Sequence, residues 1–136
     1  MKQASESIKD TLNHLSKEVI GAAIEVHRDL GPGLLEMTYE LSLQHELQLR
    51  GYASERQVML PIQYKGLIVP EAYRIDLLVE KCLVIELKAV ESLLPIHSAQ
   101  LLTYLRMSNN HLGLLINFHT VRLADGIKRL VHHFPD

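Results

Sequence analysis

Apolar residues recur at three- and four-residue spacings through the first third of the chain and at two-residue spacings through its middle. Over residues 11–30, Leu12, Leu15, Val19, Ala22, Ala23, Val26 and Leu30 share one helical face, with Thr11 available as a cap. Gly31-Pro32-Gly33 ends this helix, because glycine takes a left-handed C-cap and proline cannot continue the turn. A second helix is expected over about 34–50, with Leu35, Tyr39, Leu43 and Leu47 on one face and Gly51 at its end. Residues 56–64 alternate Val58, Leu60, Ile62 and Tyr64, as a half-buried strand does. Pro61 has no N–H for a ladder, which assigns that strand to a sheet edge or a bulge. After a turn at Tyr64-Lys65-Gly66, residues 73–88 read as a hairpin with its tip at Lys81. A third helix is expected over about 96–107 around Leu101, Leu102 and Leu105, then a buried strand over 111–118. "GIKRLVHHF" (126–134) reads as a short closing helix.

The expected order is therefore α-α-β-β-β-α-β-α. The connection from the 82–88 strand through a helix to the 111–118 strand has the length of a crossover, so those two strands are expected to be parallel. A mixed sheet flanked by helices, α/β in content with an α+β arrangement, is the simplest architecture. Residues 1–10 are polar and expected to be flexible, leaving 11–136 as a single domain.

A chain of 136 residues can bury about two-thirds of its unfolded surface. At 5% aromatic residues with no Trp, its core must be aliphatic. There is no run of 18 apolar residues, so no transmembrane helix and no membrane partner are expected. The first residues lack the apolar stretch of a secretory signal. The single cysteine, Cys82, allows no intrachain disulfide, and a reducing, cytoplasmic location is expected. The net charge of −2 lacks the basic excess of a sequence-independent nucleic-acid binder. Arg122, Lys128 and Arg129 make only a modest basic group, as solvated surface charge would.

The hairpin "YRIDLLVEKCLVIELKA" (73–89) carries the candidate chemistry. With its tip at Lys81, residues whose numbers sum to 162 lie opposite one another, and Asp76 faces Glu86 with Cβ atoms about 4.5–5.5 Å apart. Facing carboxylates repel, and on a partly buried face each resists desolvation. Lys88 projects from the same face as Glu86. Two carboxylates and an ammonium can hold a divalent ion and a nucleophilic water, and oxygen donors suit Mg²⁺ or Mn²⁺ rather than zinc. Alternatively, Lys88 neutralises a carboxylate on a face that is simply wet. Gln100 and Tyr104 are four residues apart on the helix that follows, so its polar face borders the hairpin, though Tyr104 also fits a half-buried helix tyrosine. Glu36 and Tyr39 share a face at the start of the second helix, where an acid is also favoured by the helix dipole.

The eight histidines show no zinc pattern. His132 and His133 are adjacent and do not share a helix face. His97, one turn before Gln100, is a candidate phosphate contact. Cys82 sits at the hairpin tip away from any base, and no phosphate loop or dinucleotide fingerprint occurs.

Together these residues carry a resemblance. "GLLEMTY" (33–39) matches the G-x-x-E-x-x-Y signature of the small bacterial and archaeal GxxExxY proteins, a group that looks like a branch of the PD-(D/E)XK nuclease superfamily. The hairpin matches the D…E-x-K core of that superfamily, and "QLLTY" (100–104) looks like the Q-x-x-x-Y motif of its RecB-like nucleases. "YLR…GLLINF" and "GIKRL" also fit the small family, and the resemblance runs from about residue 18 to the end. It implies a restriction-endonuclease-like mixed β-sheet flanked by helices and a metal-dependent phosphodiesterase site. By position, Asp76, Glu86 and the backbone carbonyl of Leu87 would ligate Mg²⁺ or Mn²⁺. Lys88 would orient the attacking water or stabilise phosphate charge. Glu36 would add an acidic contribution from its helix, and Gln100 and Tyr104 would position Lys88 and the nucleic-acid backbone. The expected function is a nuclease acting on DNA ahead of RNA, with an oligomer or partner protein supplying further grip. The alternative is a catalytically inactive nuclease-fold module that binds nucleic acid or a protein.

Overall fold

The computed structural model describes residues 2–136, with side chains from Ile8 onward. Helix α1 (Lys2–Leu30) and helix α2 (Glu36–Leu49) are followed by β1 (Ser54–Tyr64), β2 (Leu67–Val79), β3 (Leu83–Lys88), α3 (Pro95–Ser108) and β4 (Leu112–Asn117). A 3₁₀ turn (Leu123–Gly126) then leads into β5 (Ile127–Val131). The segment expected to be flexible, 1–10, lies partly outside the described residues, and the backbone of α1 starts at Lys2.

The five strands form one sheet in the order β1-β2-β3-β4-β5. β3 and β4 are parallel, Leu83 opposite Leu112 and Lys88 opposite Asn117, as the crossover length through α3 requires. All other neighbours are antiparallel. Lys65 (φ 46°) and Gly66 (φ 87°) close the β1–β2 turn between the paired residues Tyr64 and Leu67. Two consecutive residues at positive φ are what a two-residue hairpin loop matching the strand twist needs. Pro61 lies on an edge strand and also at a bulge: pairing steps from Leu60–Tyr73 to Ile62–Val69 across it.

The closing segment is not a helix. Ile127–Val131 is the edge strand β5, with Ile116 opposite Ile127 and Leu112 opposite Val131. Its partly buried residues Ile127 and Leu130 are three apart, which imitates helical spacing. In fact they point to opposite faces, Ile127 toward the α1–α2 core and Leu130 toward the α3 core. Pairing satisfies the outer edge of β4, whereas a run this short gains little as a helix.

α1 and α2 cover one sheet face, burying Leu77, Val79, Leu83, Ile85, Leu87, Leu112, Leu114 and Ile116. α3 covers the other, where Leu101 and Leu105 meet Val84 and Leu115. The strict alternation of β3 and β4 thus assigns every second residue to α3. β2 breaks that alternation: Leu77 packs toward α1 and α2, yet Ile75, two residues earlier, packs with α3. In β1 the matching irregularity is Gln57, at φ 54° between the paired residues Arg56 and Val58. The two strands change faces together, and Asp76 sits at the change. Among the described residues, no helix is long and apolar enough to cross a membrane.

Candidate active site

The β2–β3 ladder runs from Val79–Leu83 to Leu77–Ile85, the register that places Asp76 and Glu86 on the next rung. There side chains take over from the ladder. The Asp76 N–H donates to Glu86 Oε1 (3.2 Å), and the Leu87 N–H donates to Asp76 Oδ2 (2.9 Å). Each carboxylate is anchored by one oxygen to the opposite strand. Because Ile85 and Leu87 point toward α1 and α2, Glu86 and Lys88 project to the α3 side.

Glu86 is 3% exposed. Burial, reinforced by the charge of Asp76, pushes its pKa up to about 8, against the opposing pull of the Asp76 N–H and Lys88. Burial also raises the pKa of Asp76; the Leu87 N–H bond and Lys88 oppose this, while the charges of Glu40 and Glu36 add to it. Among the described residues, neither carboxylate forms an ion pair with Lys88 within 4.0 Å. Two carboxylates with further acidic charge at hand therefore face a single ammonium at longer range.

The other sequence-derived candidates converge unevenly. Gln100 Nε2 donates to the Tyr104 hydroxyl (2.9 Å). The Tyr104 pKa is raised by burial first and then by the charges of Glu86 and Asp76, which sets the Gln100–Tyr104 pair beside the carboxylates. Glu36 is exposed at the first position of α2, and its charge reaches Asp76. Leu87 lies between Glu86 and Lys88, with its N–H taken by Asp76. His97 is engaged within its own helix start, where its Nδ1 accepts the Leu94 N–H (3.0 Å).

Five residues outside the sequence-derived set, Glu40, Arg56, Gln57, Tyr73 and Asn117, shape the site. Glu40, buried one turn after Glu36, accepts from Arg56 Nε (2.8 Å) and from Gln57 Nε2 (2.8 and 2.9 Å), and Arg56 Nη2 lies 2.7 Å away. The irregularity at Gln57 is what brings two consecutive side chains to one carboxylate. An acid four residues from Glu36 on an otherwise apolar face was the available signal. Tyr73 packs its ring against that of Tyr104, with centroids 5.1 Å apart and planes tilted by 33°. Buried Asn117 accepts the Val90 N–H (3.1 Å) and donates to the Val90 carbonyl (2.8 Å), pinning the chain just after Lys88. A lone amide within "HLGLLINF" was its only mark.

Tyr39 is fully buried; its hydroxyl donates to the Gly31 carbonyl (2.6 Å) and accepts the Leu34 N–H (3.0 Å). Its ring stacks on Phe118 at 4.5 Å, and the Phe118 N–H donates to the Lys88 carbonyl (2.9 Å). This chain of contacts ties the turn before Glu36 to the end of the strand that carries Lys88.

Among the described residues, no group of three or more His, Cys, Asp or Glu side chains is arranged to hold a metal. The carboxylate pair is a smaller set, but its chemistry fits a hard divalent cation: the donors are oxygens, each acid keeps one oxygen outside its backbone bond, and positive charge is in deficit.

A model of the PD-(D/E)XK nuclease superfamily matches residues 13–130. The chain belongs to that superfamily, and its mixed five-stranded sheet with three helices is the α+β, restriction-endonuclease-like fold. Neither a search of curated proteins nor one of solved structures returned a match.

Proposed function

We propose that this chain is a Mg²⁺- or Mn²⁺-dependent nuclease of the GxxExxY group, hydrolysing phosphodiester bonds of DNA ahead of RNA. The observation that carries this reading is the strand fork at Asp76 and Glu86. Two acidic side chains are kept together there at a cost in desolvation and mutual repulsion, and each leaves one oxygen outside its backbone bond. Asp76, Glu86 and the backbone carbonyl of Leu87 hold the ion. When bound, a hard cation lowers the pKa of its water and offsets charge developing on the phosphate.

The chain's own residues do the rest. Lys88 orients the attacking water or stabilises phosphate charge with its ammonium. Gln100 and Tyr104 hold the polar face of α3 toward Lys88 and the substrate backbone. Glu36 adds negative charge at the rim, directly or through water, and His97 contacts a phosphate with the ring nitrogen that the Leu94 N–H leaves free. The free thiol of Cys82 supports a reducing, cytoplasmic setting.

A non-catalytic module on the same scaffold is the second reading. The net charge of −2 favours it, since a nuclease working alone gains from a basic surface. In the nuclease reading, a second copy or a protein partner supplies that grip.

A panel of labelled single- and double-stranded DNA and RNA, incubated with Mn²⁺ or Mg²⁺, tests the proposal. Wild type is expected to cut at least one member, with Asp76→Asn and Lys88→Ala slower by about 100-fold or more. A folded wild type that binds Mn²⁺ and oligonucleotide yet cuts nothing would establish the module instead.

A further inference from the structure

The polar face of α3 continues past the carboxylates. Ile96, His97, Ala99, Gln100, Thr103 and Tyr104 line one open cleft of about 330 Å³. These positions fall at the spacings of a single helix face. Gln100 and Tyr104 belong both to this cleft and to the candidate active site, so the two are continuous. The Tyr104 ring, backed by Tyr73 at 5.1 Å, gives the cleft an aromatic wall.

Three properties define what fits. First, none of the six residues is Lys, Arg, Asp or Glu; with His97 at the phosphate, the remaining five are uncharged and suit an uncharged group. Second, it offers both apolar surface and hydrogen-bonding edges. Ile96 is 66% exposed, a high value for an isoleucine without a partner, and Ala99 is exposed beside it. Gln100 spends its amide N–H on the Tyr104 hydroxyl and keeps Oε1, and Thr103 brings a hydroxyl. Third, the volume is at the small end of ligand pockets, roughly 300 Å³, with room for one nucleoside. A flat group with apolar faces and a polar edge, uncharged and joined to a phosphate one residue away, is a nucleobase.

We propose that this cleft is a base-binding subsite that takes one unstacked base from a strand whose phosphate lies at Asp76 and Glu86. A base inside a duplex is paired and stacked on both sides, so only an unpaired or extruded base enters a side cleft. The substrate of the proposed nuclease is therefore single-stranded or end-frayed nucleic acid rather than intact duplex. This inference rests on the nuclease reading.

Fluorescence anisotropy tests it, with a labelled 12-nucleotide single strand, its blunt duplex, and a set of single strands each carrying one abasic position. Every protein carries Lys88→Met to suppress turnover, and Ala99→Trp fills the cleft from an exposed position. Thr103→Val serves as a second variant that removes a hydroxyl at nearly constant volume. The single strand is expected to bind at least tenfold tighter than the duplex. One abasic position and Ala99→Trp should each weaken single-strand binding about tenfold, the size of one stacked base. Combined, they should cost no more than either alone, and Thr103→Val should weaken binding in the same direction. Equal affinity for duplex, no sensitive abasic position, or effects that multiply would overturn the subsite, as would absence of oligonucleotide binding. A Mn²⁺ titration of the same preparations separates the two levels. Ion binding that persists while the base effects are missing removes the subsite alone; ion binding missing as well removes the nuclease reading.

Discussion

Glu86→Gln in the metal-free protein measures the cost of the carboxylate pair. Burial and the charge of Asp76 raise the Glu86 pKa from its ordinary 4.5 to about 8. The folded protein then holds a proton that the unfolded chain releases above pH 4.5. Stability from this group is fully present below pH 4.5, declines as pH rises, and is lost above about pH 8. The interval from 4.5 to about 8 is 3.5 pH units, and 1.36 kcal/mol per unit makes roughly 5 kcal/mol in all. Between pH 5 and pH 8 most of it, several kcal/mol, disappears, a large part of the roughly 5–15 kcal/mol typical of a domain. Glutamine stays neutral throughout, so the variant is expected to lose that much less over the same range and to be the more stable protein at pH 8. Urea unfolding in chelator reads the difference: with a slope of about 1.5–2 kcal/mol per molar, the wild-type midpoint should fall about 2 M further than that of Glu86→Gln. Midpoints that fall in parallel would refute the burial and repulsion ascribed to Glu86.

The supporting contacts give further expectations. Tyr39→Phe keeps the stack on Phe118 but strips the Gly31 carbonyl and Leu34 N–H of their shared partner, costing about 1–3 kcal/mol in urea unfolding. Glu40→Ala leaves Arg56 and Gln57 without their buried acceptor, and a loss of about 2–4 kcal/mol is expected. The same change removes a charge that raises the Asp76 pKa, which should move down by NMR titration. Asn117→Ala frees both backbone groups of Val90, and amide exchange at Val90 should quicken well beyond that in the β3 core.

Much of the fold is legible in the sequence because single numbers specify it. A tip at Lys81 determines which residues of β2 and β3 face each other, and Asp76 opposite Glu86 follows. The spacing from Leu83–Lys88 to Leu112–Asn117 forces a crossover and hence a parallel pair. β5 was not legible, since Ile127 and Leu130 bury on opposite faces at a helix-like interval. The face change at Asp76 is hidden for a different reason: it depends on the positive φ of Gln57 in the neighbouring strand. No alternation pattern within β2 records that. Glu40 is not legible in the sequence because its partners, Arg56 and Gln57, are distant along the chain and meet it only through that irregularity.

Isothermal calorimetry of Mn²⁺ binding at pH 7, in two buffers of different ionisation enthalpy, tests the carboxylate pair most directly as a metal site. With its pKa pushed up to about 8, Glu86 is mostly protonated at pH 7, and ligation requires its carboxylate. Wild type should bind one ion and release close to one proton, and Asp76→Asn/Glu86→Gln should do neither. A folded wild type that takes up no Mn²⁺, or a double variant that binds it equally well, would contradict the assignment of Asp76 and Glu86 as metal ligands.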